Sequence, residues 1–550
     1  MNHFNKITKV ALIFLVGLGL SGCKDLTELN INPNGVSEEN ANPNLLLTTI
    51  LTGMGSKYNE LSFVNLGGVV QHTQYDAWFD SHNDYEWTGG ILSWDPYYGY
   101  LRDNELLRRH AEEQGLEFHH GVSLVVRAYL FGLITDLWGD APYTDAVKAE
   151  LGDVKYNFPK FDSQEVIYKG IIEELAQANE LLSKPDGAYT SILPAADVFF
   201  NGQASKWRRF ANALALRYYM RLSEKETAFA RQGIEQIMAD PNKFPIISSV
   251  EEEVLMSFAG NNAADSWPSN TVYDASGSSY RRVKMASTLV NRLQAINDPR
   301  LAIWAKKVEI PLQVSATEPP KTSKIVNGVR ILSPDMVQGI AIDTDPEYVG
   351  LPPSGSKNPS AYNLNPTPGQ TSMNPHVSYI NDIYREAKGD LLKARLLSAA
   401  EVDFILAEAA WKGWNLPASA KTYYERGILH SLESWGSANA YATYIQQNGV
   451  AFQNTQAQIL EQKWIASWTT AAQSWFDYRR TGLPALKAGP SAIRTQLPVR
   501  IPYMPNEMSV NQKNAEEALT RIEKTTYSQA DNENSAWSKP WLLQGTNKPW

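Results

Sequence analysis

The chain carries a single cysteine, Cys23, among its 550 residues. A fold with no second thiol closes no disulfide of its own, and no cysteine deeper in the chain is available for thiol catalysis. Basic clusters are missing too. Lys and Arg number 50 against 59 Asp and Glu, for a net charge of −9. That balance argues against a nucleic acid partner, because phosphate binding rests on clustered cations. Behind residue 22 no uninterrupted apolar run reaches the roughly 18 residues of a membrane-spanning helix. The eight histidines form no His-x-x-x-His or His-Glu-x-x-His array, so no metal and no cofactor is expected. Neither a Gly-x-Ser-x-Gly elbow nor a phosphate loop occurs. His119-His120 reads as a helix-start feature, and Asp136 and Asp140, which flank Trp138-Gly139, read as structural. A glycosidase needs two positioned carboxylates, and no pair stands out among the acidic residues.

What is present begins at the N-terminus. Lys6 and Lys9 precede an apolar run over 10–20, and Leu20-Ser21-Gly22-Cys23 follows. The run is short for a permanent span and fits a signal-peptide core before a small-residue cleavage site. The tetrad resembles a bacterial lipobox. The expectation is a lipoprotein signal over 1–22, a lipid such as palmitate on Cys23, a polar tether over 23–34 and a single domain over 35–550. The competing reading is an ordinary secretory signal with an incidental cysteine. The leader holds two lysines and no acid, so the chain behind it carries 48 basic against 59 acidic residues, net −11.

Helical spacing dominates the rest. A first helix is expected over 44–54. The clearest covers 162–182, with Asp162 and Glu165 at capping-box spacing and Val166, Ile167, Ile171, Leu175, Ala178 and Leu182 as its apolar stripe. Others are expected over 205–226, 399–413 and 455–480, the last ended by Thr481-Gly482-Leu483-Pro484. A hairpin is expected over 324–332 around Asn327-Gly328. The chain therefore reads as mostly α, with helix pairs suggesting a stacked scaffold, although no fixed 34-residue period is legible.

Three long stretches, about 71–99, 256–282 and 333–380, resist helix assignment. Loops of that length are functional or disordered, and their aromatics argue against disorder. The chain has 16 Trp, 26 Tyr and 17 Phe. In 75–98 the rings interleave with Asp, Asn and His; in 261–281 they interleave with Asn, Asp and Arg281. Flat rings match the C–H face of a sugar, and the polar neighbours match its hydroxyls. Trp78, Tyr85, Trp87, Trp267, Asn270, Tyr273 and Tyr280 are the candidate ligand contacts. The competing reading of each ring is a pin that fixes a long loop to the helical body, and Trp94 leans that way.

Several segments in order carry a resemblance. They are Leu29-Asn30-Ile31-Asn32-Pro33-Asn34, Leu137-Trp138-Gly139-Asp140-Ala141-Pro142-Tyr143-Thr144, Asn297-Asp298-Pro299-Arg300, Gln462-Lys463-Trp464, Trp475-Phe476-Asp477-Tyr478-Arg479-Arg480 and Leu497-Pro498 with Arg500, Pro502 and Tyr503. Taken together the chain resembles a SusD/RagB-family outer-membrane lipoprotein, of the SusD-like branch. The resemblance implies a tetratricopeptide-like helix-pair scaffold with long irregular loops packed on it. It implies a lipid-anchored protein at the cell surface that captures an oligosaccharide or polysaccharide and delivers it to a SusC-like TonB-dependent transporter, without catalysis. It also implies that Trp207, Glu408, Arg479 and Arg480 are packing residues and that ligand contacts lie in variable loops. Capture of a peptide on the same architecture, and an α-helical surface glycoside hydrolase, remain as alternatives.

Overall fold

The computed structural model describes residues 41–550 apart from 371, 547 and 549. The expected leader 1–22, the Cys23 lipid site and the tether 23–34 lie outside the described residues. The longer helices are α1 (Pro43–Asn59), α2 (Asp95–Glu113), α3 (Glu117–Trp138), α4 (Gln164–Leu181), α5 (Ala204–Leu222), α6 (Thr227–Ala239), α7 (Ser287–Ala295), α8 (Ala399–Trp411), α9 (Ala420–Ser434), α10 (Gln456–Ala466), α11 (Ala471–Thr481) and α12 (Gln512–Leu519). From α1 to α6 each helix packs on the next. A second stack places α8 against α9 and α10, and α5 joins the two stacks by packing on α8 and α11. This is the mostly α, stacked scaffold that the spacing suggests and the tetratricopeptide-like arrangement that the resemblance implies. Helix α3 is long and apolar enough to cross a membrane, yet its apolar window is almost wholly buried in the body. It is the central core helix.

The strands are short: β1 (Thr73–Tyr75), β2 (Ala141–Pro142), β3 (Phe161–Asp162), β4 (Val254–Ser257), β5 (Val283–Met285), β6 (Leu312–Val314), β7 (Ser323–Val326), β8 (Val329–Leu332) and β9 (Lys393–Leu397). They pair as β1–β5, β2–β3, β4–β9 and a three-stranded sheet β6-β8-β7. The expected hairpin is β7–β8. Asn327 and Gly328 have φ of 51° and 80°, the left-handed pair that a two-residue hairpin turn demands.

Two expectations about helix ends change. Residues 455–480 form two helices rather than one. Thr469, at φ 69°, breaks the run and turns Trp468 inward. There its indole Nε1 donates to the Tyr384 hydroxyl at 2.6 Å and its ring stacks on Trp304. No glycine or proline marks the break, which follows from tertiary packing. The cap of α4 is Ser163, whose Oγ accepts from the Val166 amide. Asp162 instead accepts from the amide and hydroxyl of Thr144 at 2.7 and 2.8 Å, joining the chain before α4 to the segment after α3.

Where α3, α5, α8, α10 and α11 meet, the core holds charge. Asp136 faces Arg221 at 3.1 Å and Arg479 at 3.8 Å. Asp477 faces Lys463 at 2.7 Å and Arg480 at 3.0 Å, and Arg480 reaches Glu408 at 2.6 Å. All seven side chains are buried. Burial alone would raise the Asp477 carboxyl; Lys463, Arg480 and Arg221 outweigh it and hold it well below the usual carboxylate range. Trp207 is also buried and donates its Nε1 to Asp197 at 2.7 Å.

Candidate functional site

The three irregular stretches meet on one face. Strands β1 and β5 pair antiparallel with Tyr75 opposite Val283, and the Asp76 amide donates to the Arg282 carbonyl at 3.3 Å. This register sets Trp78 beside Arg282. Within β5, Lys284 is buried with Asp76 at 3.1 Å and donates to the Ser372 carbonyl at 3.1 Å. Its ammonium lies 3.6 Å from the Tyr379 ring centroid. Burial pulls the Lys284 amine down to about 8, against the pull of Asp76. The 366–379 segment is thereby tied to β5, and Tyr379 closes it by donating to the Ser372 carbonyl at 3.1 Å.

Three cavities follow along this face. The first, about 410 Å³, is lined by Thr271, Tyr280, Arg281, Lys306, Tyr379 and Arg385 among others. The second, about 240 Å³, lies between Trp78, Arg281, Arg282 and Ser372, with Asp76 in its wall. The third, also about 240 Å³, is lined by Tyr75, His82, Trp87 and Arg282. Arg281 belongs to the first two and Arg282 to the last two. In the first, Tyr280 and Tyr379 lie nearly parallel, 6.1 Å apart with 12° between their planes. The Tyr280 hydroxyl donates to the Ile380 carbonyl at 2.8 Å, and Arg385 sits over its ring. Burial pushes the Tyr280 phenol well above its ordinary value.

A column of rings crosses the second and third cavities. His82 stacks on Tyr75 at 3.7 Å with 2° between planes. Arg282 lies over Tyr75 at 5.5 Å and over Trp78 at 4.3 Å. Burial, helped by Arg282, pulls the His82 imidazole down to about 3, so it is neutral at pH 7. Trp78 ends the column at 72% exposure with φ 54°. A bulky residue in the left-handed region is strained by about 1–3 kcal/mol.

The seven residues singled out in the sequence separate here. Trp78, Trp87 and Tyr280 line the cavities. Tyr273 is 43% exposed beside them, with its hydroxyl donating to the Gly260 carbonyl. Tyr85 and Trp267 are fully buried and offer no open face. Trp267 packs on Phe63 and Tyr384, and burial pushes the Tyr85 phenol up to about 12. Asn270 is turned inward: it donates to the Trp267 carbonyl and accepts from the Tyr273 amide. The reason is common to all three. A long loop leaves many rings without neighbours, and burying a Trp or Tyr against the body recovers that apolar area. Even Trp87 shows only its edge, packing against Trp475 while its Nε1 donates to the Ser81 carbonyl. Trp94 is buried, in line with its reading as a pin.

Arg282, Tyr379 and Lys306 were missed. Arg282 follows Tyr280-Arg281, so a basic pair behind a ring was the available signal; Tyr379 and Lys306 carried none. Carboxylates in the cavity walls are two, Glu309 and Asp76. Asp76 is clamped by Lys284, and the two lie in different cavities. No group of His, Cys, Asp or Glu suited to a metal occurs among the described residues.

The family model described as "starch-binding associating with outer membrane", SusD-like, matches residues 33–316 and 344–504. Among curated proteins no sequence matches. Solved structures do. An outer-membrane protein of Bacteroides vulgatus whose name ties it to nutrient binding has a TM-score of 0.71 at 24% identity, covering 92% of this chain and 100% of its own. A chitin-binding protein has a TM-score of 0.70 at 22% identity, covering 91% and 99%. A SusD homologue of Bacteroides fragilis has a TM-score of 0.68 at 21% identity, covering 91% and 100%. At these identities the structural neighbours establish the shared helical scaffold, whereas the family match spans most of the sequence: the chain belongs to the SusD-like family, described as starch-binding and associating with the outer membrane.

Proposed function

We propose that this chain is a cell-surface lipoprotein, anchored through Cys23, that captures a glycan on the Trp78 face and passes it to a SusC-like TonB-dependent transporter without chemistry. The observation that carries the reading is Trp78 itself: a large ring at 72% exposure, held in a left-handed backbone conformation, with one face braced by Arg282 and the other open at a cavity mouth. Strain of this kind is kept where a function depends on the pose. A pyranose laid on the open face meets the ring with its C–H groups, while Arg281 and Ser372 at the rim are placed for its hydroxyls. Within this reading the anchor forms the hinge side of a lid, and the three-cavity face turns toward the barrel.

Calorimetry and affinity electrophoresis against soluble starch, chitin oligosaccharides, pectic polysaccharides and a peptide library test it. Trp78→Ala is expected to weaken glycan binding about tenfold or more while leaving unfolding stability within about 0.5 kcal/mol. Unchanged glycan affinity in that variant removes Trp78 from the site. Binding to peptides and to no glycan replaces the ligand class.

A further inference from the structure

Resting on that reading, we infer that the glycan is acidic, and that Arg282 holds a uronate carboxylate of it between the second and third cavities. Arg282 is half-buried, and among the described residues no ion pair or hydrogen bond engages its guanidinium. Its buried Nε has no acceptor. The charged groups around it are engaged elsewhere. Arg385 faces Asp382 at 3.7 Å, Lys306 faces Glu309 and Asp382, Arg281 donates to the Ser276 carbonyl, and Lys357 is held by Asp84 and Glu86. Asp76, the carboxylate in the wall of the second cavity, is neutralised by Lys284 at 3.1 Å. Arg282 therefore stands in the walls of both cavities with no carboxylate among the described residues paired to it.

A buried N–H without an acceptor costs free energy that a ligand acceptor returns. The guanidinium carbon lies over the rings of Tyr75 and Trp78. Its fork of N–H donors fits a planar carboxylate through two parallel hydrogen bonds. A sugar whose ring lies on Trp78 and whose C5 substituent is a carboxylate presents both features at once. The chain's overall −9 does not oppose this. Charges more than about 8 Å away are largely screened at physiological ionic strength, so the guanidinium of Arg282 in the cavity walls weighs more in the encounter than the distant acids.

The test uses three probes of matched length: oligogalacturonate, its methyl ester, and oligoglutamate. Wild type is expected to bind the acid about tenfold or more tightly than the ester, with an affinity that falls as salt rises. Arg282→Gln is expected to erase that preference, bringing acid binding down to the level of the ester, and a melting transition close to that of wild type shows that the variant is folded. Arg282→Lys keeps the charge without the fork and is expected to fall between. Trp78→Ala weakens acid and ester alike. Equal binding of acid and ester by wild type, unchanged in Arg282→Gln, overturns the uronate and leaves the glycan reading standing. Binding of oligoglutamate with neither saccharide overturns the glycan reading and the uronate with it; absence of binding to all three overturns the uronate and leaves the glycan reading to the starch and chitin titrations.

Discussion

Glu408→Ala is expected to lower the unfolding free energy by about 3–5 kcal/mol, measured by urea or thermal denaturation. Glu408 is fully buried and accepts from Arg480 through both oxygens, at 2.7 and 2.6 Å, and from Gln456 at 2.9 Å. Removing it leaves a buried guanidinium with one carboxylate, Asp477, which Lys463 already shares. The cluster of Asp136, Asp477 and Glu408 with Arg221, Arg479, Arg480 and Lys463 then gains uncompensated positive charge where three helices of one stack meet two of the other. Replacing both partners, as in Glu408→Leu with Arg480→Met, is expected to recover part of the loss, because the stranded charge goes with the pair. The pH dependence follows the same logic. Burial would raise the Glu408 carboxyl, and Arg480 outweighs it and holds it below its ordinary 4.5. A depressed carboxylate stabilises the fold above its unfolded value and loses that contribution as pH falls through the folded one. Wild type is therefore expected to lose stability as pH drops below about 4.5, and Glu408→Ala to lose it with a shallower slope. A variant within 1 kcal/mol of wild type, with an unchanged acid slope, would mean that the cluster contributes nothing net.

The scaffold was legible because helix packing writes itself into local spacing. Ile167, Ile171, Leu175 and Ala178 are all buried in α4, and Trp207, Phe210, Leu214 and Tyr218 are all buried in α5, each row at helical period. Asn327-Gly328 named its own turn. The break at Thr469 was not legible. The demand for it comes from Tyr384 and Trp304, far away in sequence, and Ser467-Trp468-Thr469-Thr470 carries no breaker. Within the site the difficulty was of another kind. Composition marks a loop ring as unusual without saying which way it turns. Trp78 and Trp267 sit in similar polar surroundings in the sequence, yet one is 72% exposed and the other fully buried. The difference is set by the β1–β5 register, which puts Arg282 under Trp78, and by Phe63 of a π-helical turn following α1, which receives Trp267. Arg282 was overlooked for the converse reason: an arginine becomes notable only when the fold leaves it without a carboxylate.

Trp267→Ala separates a ring that shapes the site from one that touches ligand, and its expected effect is large. Trp267 packs on Phe63 at 4.9 Å, Phe258 at 5.6 Å and Tyr384 at 5.7 Å between ring centroids. Its indole Nε1 donates to the Ser269 hydroxyl, which itself donates to the Tyr384 carbonyl at 2.8 Å. Its amide donates to the Ala387 carbonyl at 2.8 Å. Truncation opens a cavity in a packed aromatic cluster and removes one of the two hydrogen bonds of the Ser269 hydroxyl, so the expected loss is about 3–5 kcal/mol of unfolding free energy. Ligand affinity of the folded protein is expected to change far less than in Trp78→Ala. The 261–281 segment stays held by the Thr271 amide on the Arg385 carbonyl at 2.8 Å and by Tyr280 on the Ile380 carbonyl. Calorimetric titration below the melting transition, paired with denaturation curves, reads both quantities on one preparation. Lost binding at unchanged stability would return Trp267 to the ligand contacts. Lost stability at near-normal affinity leaves it as a pin that fixes the loop to the helical body, through Phe63 and Tyr384.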